Sequence, residues 1–307
     1  MKNKLHKPSF IKYAPSWLLY AILWSFSQLP YKVMVFFGMG LGTFIKTVIP
    51  ARRKIVETNL RLCFPNLNSQ QRKLLSKQHY HELGIMVMQT LKAFLGNTTK
   101  IEQSAQIKGF EHLQECLDQK KGVLLVAGHF TALDMGGKIL CKKFPIAGMY
   151  REHKHPLTEY VVTKSRLNYA THMFKRDELR PIIKHLKTGG ILWYAPDQDY
   201  RRGQSVFVPF FQHMASTITA THQMARLSGC KVIFFHVQRN KKPPYYTLSL
   251  SPAIDNFPTK DASADTAIVN LGIENMVKTC PAQYLWVHKR FKTTADDVAN
   301  PYSSSNG

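Results

Sequence analysis

From Val123 onward, short apolar runs alternate with stretches of helical periodicity, and this alternation constrains the fold more than any other feature of the chain. Residues 123–127, 146–150 and 191–195 read as buried strands; residues 131–141, 157–169 and 179–186 read as helices, the last stopped by Gly189-Gly190. After a polar loop, 217–227 is helical, 232–237 and 245–250 are strands, and 267–278 closes the series as a helix. Helices placed between successive strands act as crossovers, so the order predicts an α/β fold with a largely parallel or mixed central sheet flanked by helices. In such sheets ligands collect beyond the carboxyl ends of the strands. The residues there are Gly128-His129, Arg151 and Asp197.

Upstream, apolar residues recur at helical spacing from Leu74 to Leu95, after Ser69 and before the stop signal Gly96-Asn97, which predicts one long packed helix. Further upstream, residues 13–31 carry no charge and are centred on Trp17, Leu18, Leu19, Leu23 and Trp24. That length sits at the threshold for crossing a bilayer core of about 30 Å. A second apolar run, 33–45, follows Lys32 almost directly. The expectation is a membrane anchor over residues 1–50, as one crossing plus an interfacial helix or as a helical hairpin that dips into the bilayer, ahead of a catalytic domain over 51–307. Lys2, Lys4, Lys7 and Lys12 before the first run, and Arg52, Arg53 and Lys54 after the second, suit anionic headgroups.

The formal net charge of +23 calls for polyanionic partners. Its cations are spread along the chain, for example Lys142-Lys143, Arg201-Arg202 and Lys241-Lys242, with no basic arm or zinc-finger spacing, which argues against nucleic acid. The five cysteines are odd in number and lack any C-x-x-C pair, so neither a disulfide framework nor a metal site is expected.

The residues that carry chemistry are His129, directly after a buried strand, and Asp134, five positions on. On an unbroken helix that spacing turns two side chains about 140° apart. They can meet only if His129 lies in the turn before the helix and Asp134 in its first turns, an entry that Gly128 would permit through its backbone freedom. The pair would then be the base and orienter of acyl transfer, the carboxylate fixing the imidazole tautomer while the other ring nitrogen takes a proton from an attacking hydroxyl. The alternative is a buried histidine bonded to a backbone carbonyl beside a solvated aspartate. No G-x-S-x-G nucleophile elbow is present, so an acyl-enzyme is not indicated.

Gly128-His129-Phe130-x3-Asp134, Tyr150-Arg151, Trp193-Tyr194-Ala195-Pro196-Asp197-Gln198-Asp199-Tyr200, Ser205-Val206-Phe207-Val208-Pro209-Phe210 and Gln283-Tyr284-Leu285-Trp286-x-His288-x-Arg290-Phe291-Lys292 follow one another over nearly the whole chain. Together they resemble the bacterial late acyltransferases of lipid A biosynthesis, the lauroyltransferase branch most of all. The resemblance implies a glycerolipid-acyltransferase-like fold and an enzyme of the bacterial inner membrane with its catalytic domain on the cytoplasmic face. It further implies acyl carrier protein as partner and donor, no separate cofactor, and a Kdo-bearing lipid A precursor as acceptor, esterified at the 3-hydroxyl of a chain already in place. The family's catalytic histidine falls on His129 and its carboxylate, often glutamate, on Asp134, one methylene shorter. Its arginine falls on Arg166 and its aspartate on Asp197. Arg166 would offer donors to a phosphate or an oxyanion, Asp197 would orient Arg166 or Arg151 or cap the next turn, and Arg151 would bind phosphate. His153 and His155 read as solvated loop residues.

Two other readings fit parts of the sequence. A glycerolipid acyltransferase shares His-x4-Asp, but its Pro-Glu-Gly-Thr-Arg-like motif is replaced here by Ala195-Pro196-Asp197-Gln198-Asp199. A non-enzymatic basic protein tethered to the membrane would fit the charge and the apolar N-terminus alone.

Overall fold

The computed structural model describes residues 6–201, 203–295 and 298–303; Lys2, Lys4 and Arg202 lie outside them. Helices α1 (Ala14–Ser27), α2 (Tyr31–Val48), α3 (Pro50–Cys63), α4 (Ser69–Leu95) and α5 (Thr99–Gln103) come first. The α/β part runs β1 (Gln106–Lys108), α6 (Phe110–Asp118), β2 (Val123–Val126), α7 (Leu133–Cys141), β3 (Ile146–Tyr150), α8 (Pro156–Leu167), β4 (Met173–Lys175), α9 (Leu179–Lys187) and β5 (Ile191–Tyr194). A hairpin of β6 (Ser205–Phe210) and β7 (His213–Ile218) precedes α10 (Ala220–Ser228), β8 (Lys231–Arg239), β9 (Tyr246–Ala253) and α11 (Ala262–Thr279).

The seven-stranded sheet has the order β1-β9-β8-β2-β5-β3-β4. Every pairing is parallel except β8 with β9, so the sheet is mixed but largely parallel, as expected. Strand β2 is buried along its whole length because both of its faces are covered. Leu124 and Val126 join a core with α9, α10 and α11 residues such as Leu186, Met224 and Ile273. Val123 and Leu125 join the opposite core with Leu113 of α6 and Met135 and Ile139 of α7.

The long helix α4 begins at Ser69, and its cap is Asn68, one residue before the Ser69 that the sequence offers in that place. The Asn68 side chain accepts from Gln71 N at 2.9 Å and Gln71 returns a bond to Asn68 N at 2.8 Å, a capping box. The expected helix at 217–227 starts later, at Ala220, because Thr217 and Ile218 pair in the β6–β7 hairpin, read from the sequence as a polar loop.

The charge-free segment 13–31 is not one helix. It breaks after Ser27 and restarts after Pro30, leaving α1 with 14 residues, about 21 Å at 1.5 Å each. Among the described residues no single helix is long and apolar enough to cross a membrane, and α2 with α3 passes that test only as a pair bent by 98°. Residue 50 does not mark a gap in the packing. Helix α2 lies backbone to backbone on α4, where a Cβ on Gly84 would stand 2.0 Å from Gly38 O and one on Gly42 would stand 1.9 Å from Tyr80 O. The small residues Gly38 and Gly42, four apart on one face of α2, make this approach possible. Helix α1 has one buried residue, Ser27, and is tied down at that end by Lys92 Nζ, which donates to Ser27 O at 2.8 Å and Leu29 O at 3.0 Å.

Gly84→Ala should therefore lower stability by about 3 kcal/mol or more, because backbone rather than a yielding side chain meets the new methyl. Gly40→Ala, with nothing within 4 Å, should be neutral or stabilise by about 0.5–1 kcal/mol. Thermal unfolding of the two purified variants checks this, and equal losses would contradict the packing described.

Candidate active site

Strands β2 and β5 lie side by side and parallel, with Val126 paired to Tyr194. Three residues beyond each partner stand His129 and Asp197, so the register alone brings them face to face at the carboxyl edge of the sheet. Asp197 Oδ1 lies 2.5 Å from His129 Nδ1, and Asp197 Oδ2 accepts the His129 backbone N–H at 2.8 Å. A third donor, the Tyr284 hydroxyl, also reaches this carboxylate. An ionised carboxylate only accepts, so the Nδ1 proton is donated to it and the neutral ring leaves Nε2 as the basic nitrogen. Burial would raise the Asp197 pKa, but His129 and the hydrogen bonds outweigh it and bring it down to about 2. For His129, burial works to lower the pKa and the Asp197 carboxylate overcomes this, leaving the imidazole above its ordinary value.

The carboxylate on His129 is thus Asp197, not Asp134, and the expected hydrogen-bonded His129–Asp134 pair is corrected. Helix α7 starts at Leu133, which sets Asp134 in its first turn, facing the last turn of α8. There Arg166 Nε and Nη2 donate to Asp134 Oδ1 at 3.0 and 2.8 Å, and the guanidinium lies 5.7 Å from the centre of the Phe94 ring. This ion pair keeps the partly buried Arg166 firmly protonated against the penalty of its burial. The expected role of Gly128 also changes. It is not among the positive-φ glycines; a Cβ there would come within 2.9 Å of the Phe130 ring and 3.1 Å of Ile273, so the glycine provides space. Neither of the two expected partners of Asp197, Arg166 and Arg151, is hydrogen-bonded to it; Arg151 is exposed, just past β3.

A strap after α11 holds His129 from the other side, and it explains the sequence block 283–290. Gln283 exchanges hydrogen bonds with the backbone of Arg239 at 2.9 and 2.8 Å. Leu285 N donates to His129 O at 2.9 Å, and Thr131 N donates to Gln283 O at 2.8 Å. On the α4 side, Gln89 donates to Thr131 O and accepts from the Tyr246 hydroxyl, both at 2.6 Å. The loop carrying His129 is therefore fixed from the sheet, from α4 and from the strap. Gln89 carries no signal in the sequence, since a lone Gln within a helix has no spacing that marks it; Tyr284 lies in a block quoted for the family resemblance, but its place beside Asp197 is set only by the packing of the strap.

His129, Thr131 and Asp134 open onto an overwhelmingly apolar cavity of about 720 Å³. Its walls are one face of α1 (Leu19, Tyr20, Leu23), the side of α4 from Met86 to Leu95, and α8 (Leu157, Val161, Val162). His153 and His155 are both exposed, as expected; His155 also stands at the cavity's edge against the Tyr13 ring, at 5.6 Å between centroids. Arg166 and Arg151 do not line the cavity, although Asp134 brings the Arg166 charge to its wall. Among the described residues no group of three or more His, Cys, Asp or Glu side chains is placed to hold a metal ion. A histidine base held by a carboxylate, opening onto a hydrocarbon-lined cavity, is suited to deprotonating a hydroxyl beside an acyl chain.

Residues 1–293 match the family model described as bacterial lipid A biosynthesis acyltransferase. The lipid A biosynthesis lauroyltransferase of Escherichia coli (strain K12) is 36% identical over 292 residues, covering 95% of each chain. The palmitoleoyltransferase of the same strain is 33% identical over 283 residues, 92% of each. A lipid A biosynthesis acyltransferase of Haemophilus influenzae (strain ATCC 51907 / DSM 11121 / KW20 / Rd) is 33% identical over 306 residues, 97% of this chain and 98% of that one. The match spans the chain from α1 to the strap and the relatives are acyltransferases, which sets aside the reading as a non-enzymatic tether: the chain belongs to the bacterial lipid A biosynthesis acyltransferase family and is an acyltransferase.

Proposed function

We propose that this enzyme transfers a fatty acyl group from acyl carrier protein to the 3-hydroxyl of an acyl chain on a Kdo-bearing lipid A precursor, with His129 as general base. The observation that carries this reading is the His129–Asp197 pair at the mouth of an apolar cavity. His129 Nε2 takes the proton of the acceptor hydroxyl as its oxygen attacks the thioester carbonyl. The tetrahedral intermediate then expels the carrier thiolate with cleavage of the C–S bond, and the proton on His129 passes to the sulfur. Asp197 holds the tautomer and stabilises the imidazolium. Asp134 keeps Arg166 in place, and that cation, with Arg151 further out, meets the acceptor's phosphates or the developing oxyanion.

The cavity takes an acyl chain, which its volume and apolar walls accommodate. The outer faces of α1 and α2 expose Leu18, Ile22, Trp24, Phe36, Phe37 and Phe44, a surface suited to the hydrocarbon edge of a bilayer. Together with the N-terminal cations this supports a seat on the cytoplasmic face of the bacterial inner membrane. An acidic carrier protein suits the +23 charge. The second reading, a glycerolipid acyltransferase, shares the general-base chemistry and differs in its acceptor.

Mass spectrometry after incubation with a Kdo-bearing tetra-acylated acceptor and a set of acyl carrier thioesters should show the acceptor gaining one acyl chain. His129→Ala should fold and lose about 10³-fold or more of this transfer. Acylation of glycerol 3-phosphate or a lysophospholipid, with the Kdo-bearing acceptor untouched, would support the second reading instead.

The pH dependence follows from the direction of the His129 shift. The base must be neutral, so kcat/KM should climb as pH rises through a His129 pKa lying above the ordinary histidine value. Asp197→Asn removes the anion that raises it, so the acid limb should move to lower pH while the plateau falls about 10²- to 10⁴-fold through loss of the correct tautomer. An unmoved limb would show that Asp197 does not act on the base.

A further inference from the structure

Arg290, in the strap, is 2% exposed and has only neutral partners. Its guanidinium donates to Ser216 O at 2.8 Å and Thr217 Oγ1 at 2.6 Å, lies 3.5 Å from Asn270 Oδ1, and stands 5.0 Å from the centre of the Phe210 ring. Its Nε is buried with no partner among the described residues. A buried cation without an anion in contact is costly, so a compensating charge nearby is to be expected.

Asp197 is the mirror case. While His129 is neutral, as a base must be, this carboxylate is 1% exposed and has no cation in contact. Arg290 and Asp197 line the same cavity of about 10 Å³ behind His129, together with Asn59, Tyr284 and His288. That is the space of a single water, enough for one to bridge the guanidinium and the carboxylate.

We infer that Arg290 is the counter-charge that keeps Asp197 ionised while His129 is neutral, a positioning residue that sets the pH at which the base becomes available. With Arg290 present, neutral His129, the Asp197 anion and the Arg290 cation balance one another, while Asp199, which also acts on Arg290, is engaged by the Thr293 N–H and hydroxyl. Without it, the Asp197 charge is balanced only by protonating His129. The other ionisable groups around the imidazole do not take over this task. His288 of the strap is pushed toward its neutral form by burial, with the charge of His129 adding to this, and Arg52 of α3 acts on His288. Tyr284 stays protonated because of its burial. Asp134 of α7 shares the large cavity with His129 but is engaged by Arg166 of α8, and His155 stands at that cavity's edge.

The inference rests on the reading of His129 as the base, and the test separates the two. The acid limb of the pH–rate profile and the NMR titration of the His129 ring should both move up by about one pH unit in Arg290→Gln, about a ten-fold loss of rate on the limb, with the alkaline plateau much less affected. Arg290→Lys, which keeps the charge, should leave the limb near its wild-type position. If Arg290→Gln does not fold, Asn270→Asp, which sets a carboxylate against the guanidinium, should shift the limb the same way. A folded Arg290→Gln or Asn270→Asp enzyme that loses rate equally at every pH, with an unmoved His129 titration, overturns the inference. The titration reads the imidazole itself, so it decides the matter even if the wild-type enzyme acylates no Kdo-bearing acceptor, a result that would contradict the functional reading instead.

Discussion

The site depends on two parallel strands ending in step. Strands β2 and β5 run together through Val126 and Tyr194, and the next three residues of each chain deliver His129 and Asp197 into contact. A slip of one residue in that register would turn the side chains of a buried strand to the opposite face and part the imidazole from its carboxylate. Because β2 is buried on both faces, close packing on each side rather than an apolar–polar alternation holds this register. The packing of Leu124 and Val126 on one face and Val123 and Leu125 on the other therefore fixes the contact between imidazole and carboxylate as well as the fold.

Around this contact the molecule divides the tasks of charge and hydrocarbon. Anions at Asp197 and Asp134 each hold one nitrogen-bearing partner, an imidazole at the first and a guanidinium at the second, so the two carboxylates are not interchangeable. The strap closes the polar side of the site, with Gln283 fastened to Arg239 and Leu285 to His129. Helices α1, α4 and α8 supply the apolar side. Helix α1 is apolar on both its faces, one toward the cavity and one outward, which places the apolar cavity directly behind an exposed apolar surface.

The sequence revealed the strands of the sheet centre and most of its helices, because buried runs and helical periodicity are local properties. It did not reveal β1 and β4, three residues each, nor the β6–β7 hairpin, whose exposed and buried residues are mixed with turn-forming polar ones. Nor did it reveal that the apolar segment 13–31 breaks after Ser27. His129, Asp134, Arg166 and Asp197 stood out by their places after strands or by family resemblance, yet their pairing was misread. Proximity in sequence favoured Asp134 as the partner of His129, whereas strand order, a long-range property, puts Asp197 there across 68 positions. Arg290 lay within a recognised block, but that its hydrogen-bond partners are all neutral, with Asp197 across a small cavity, could be seen only once the strap was packed.

The central claim is that Asp197, and not Asp134, holds the Nδ1 proton of His129. A proton NMR spectrum at low field tests this most directly, because a hydrogen shared over 2.5 Å between imidazole and carboxylate resonates well away from ordinary amides. The wild-type enzyme and Asp134→Asn should both show that resonance, and Asp197→Asn should lack it. A signal that survives Asp197→Asn but disappears in Asp134→Asn would contradict the account.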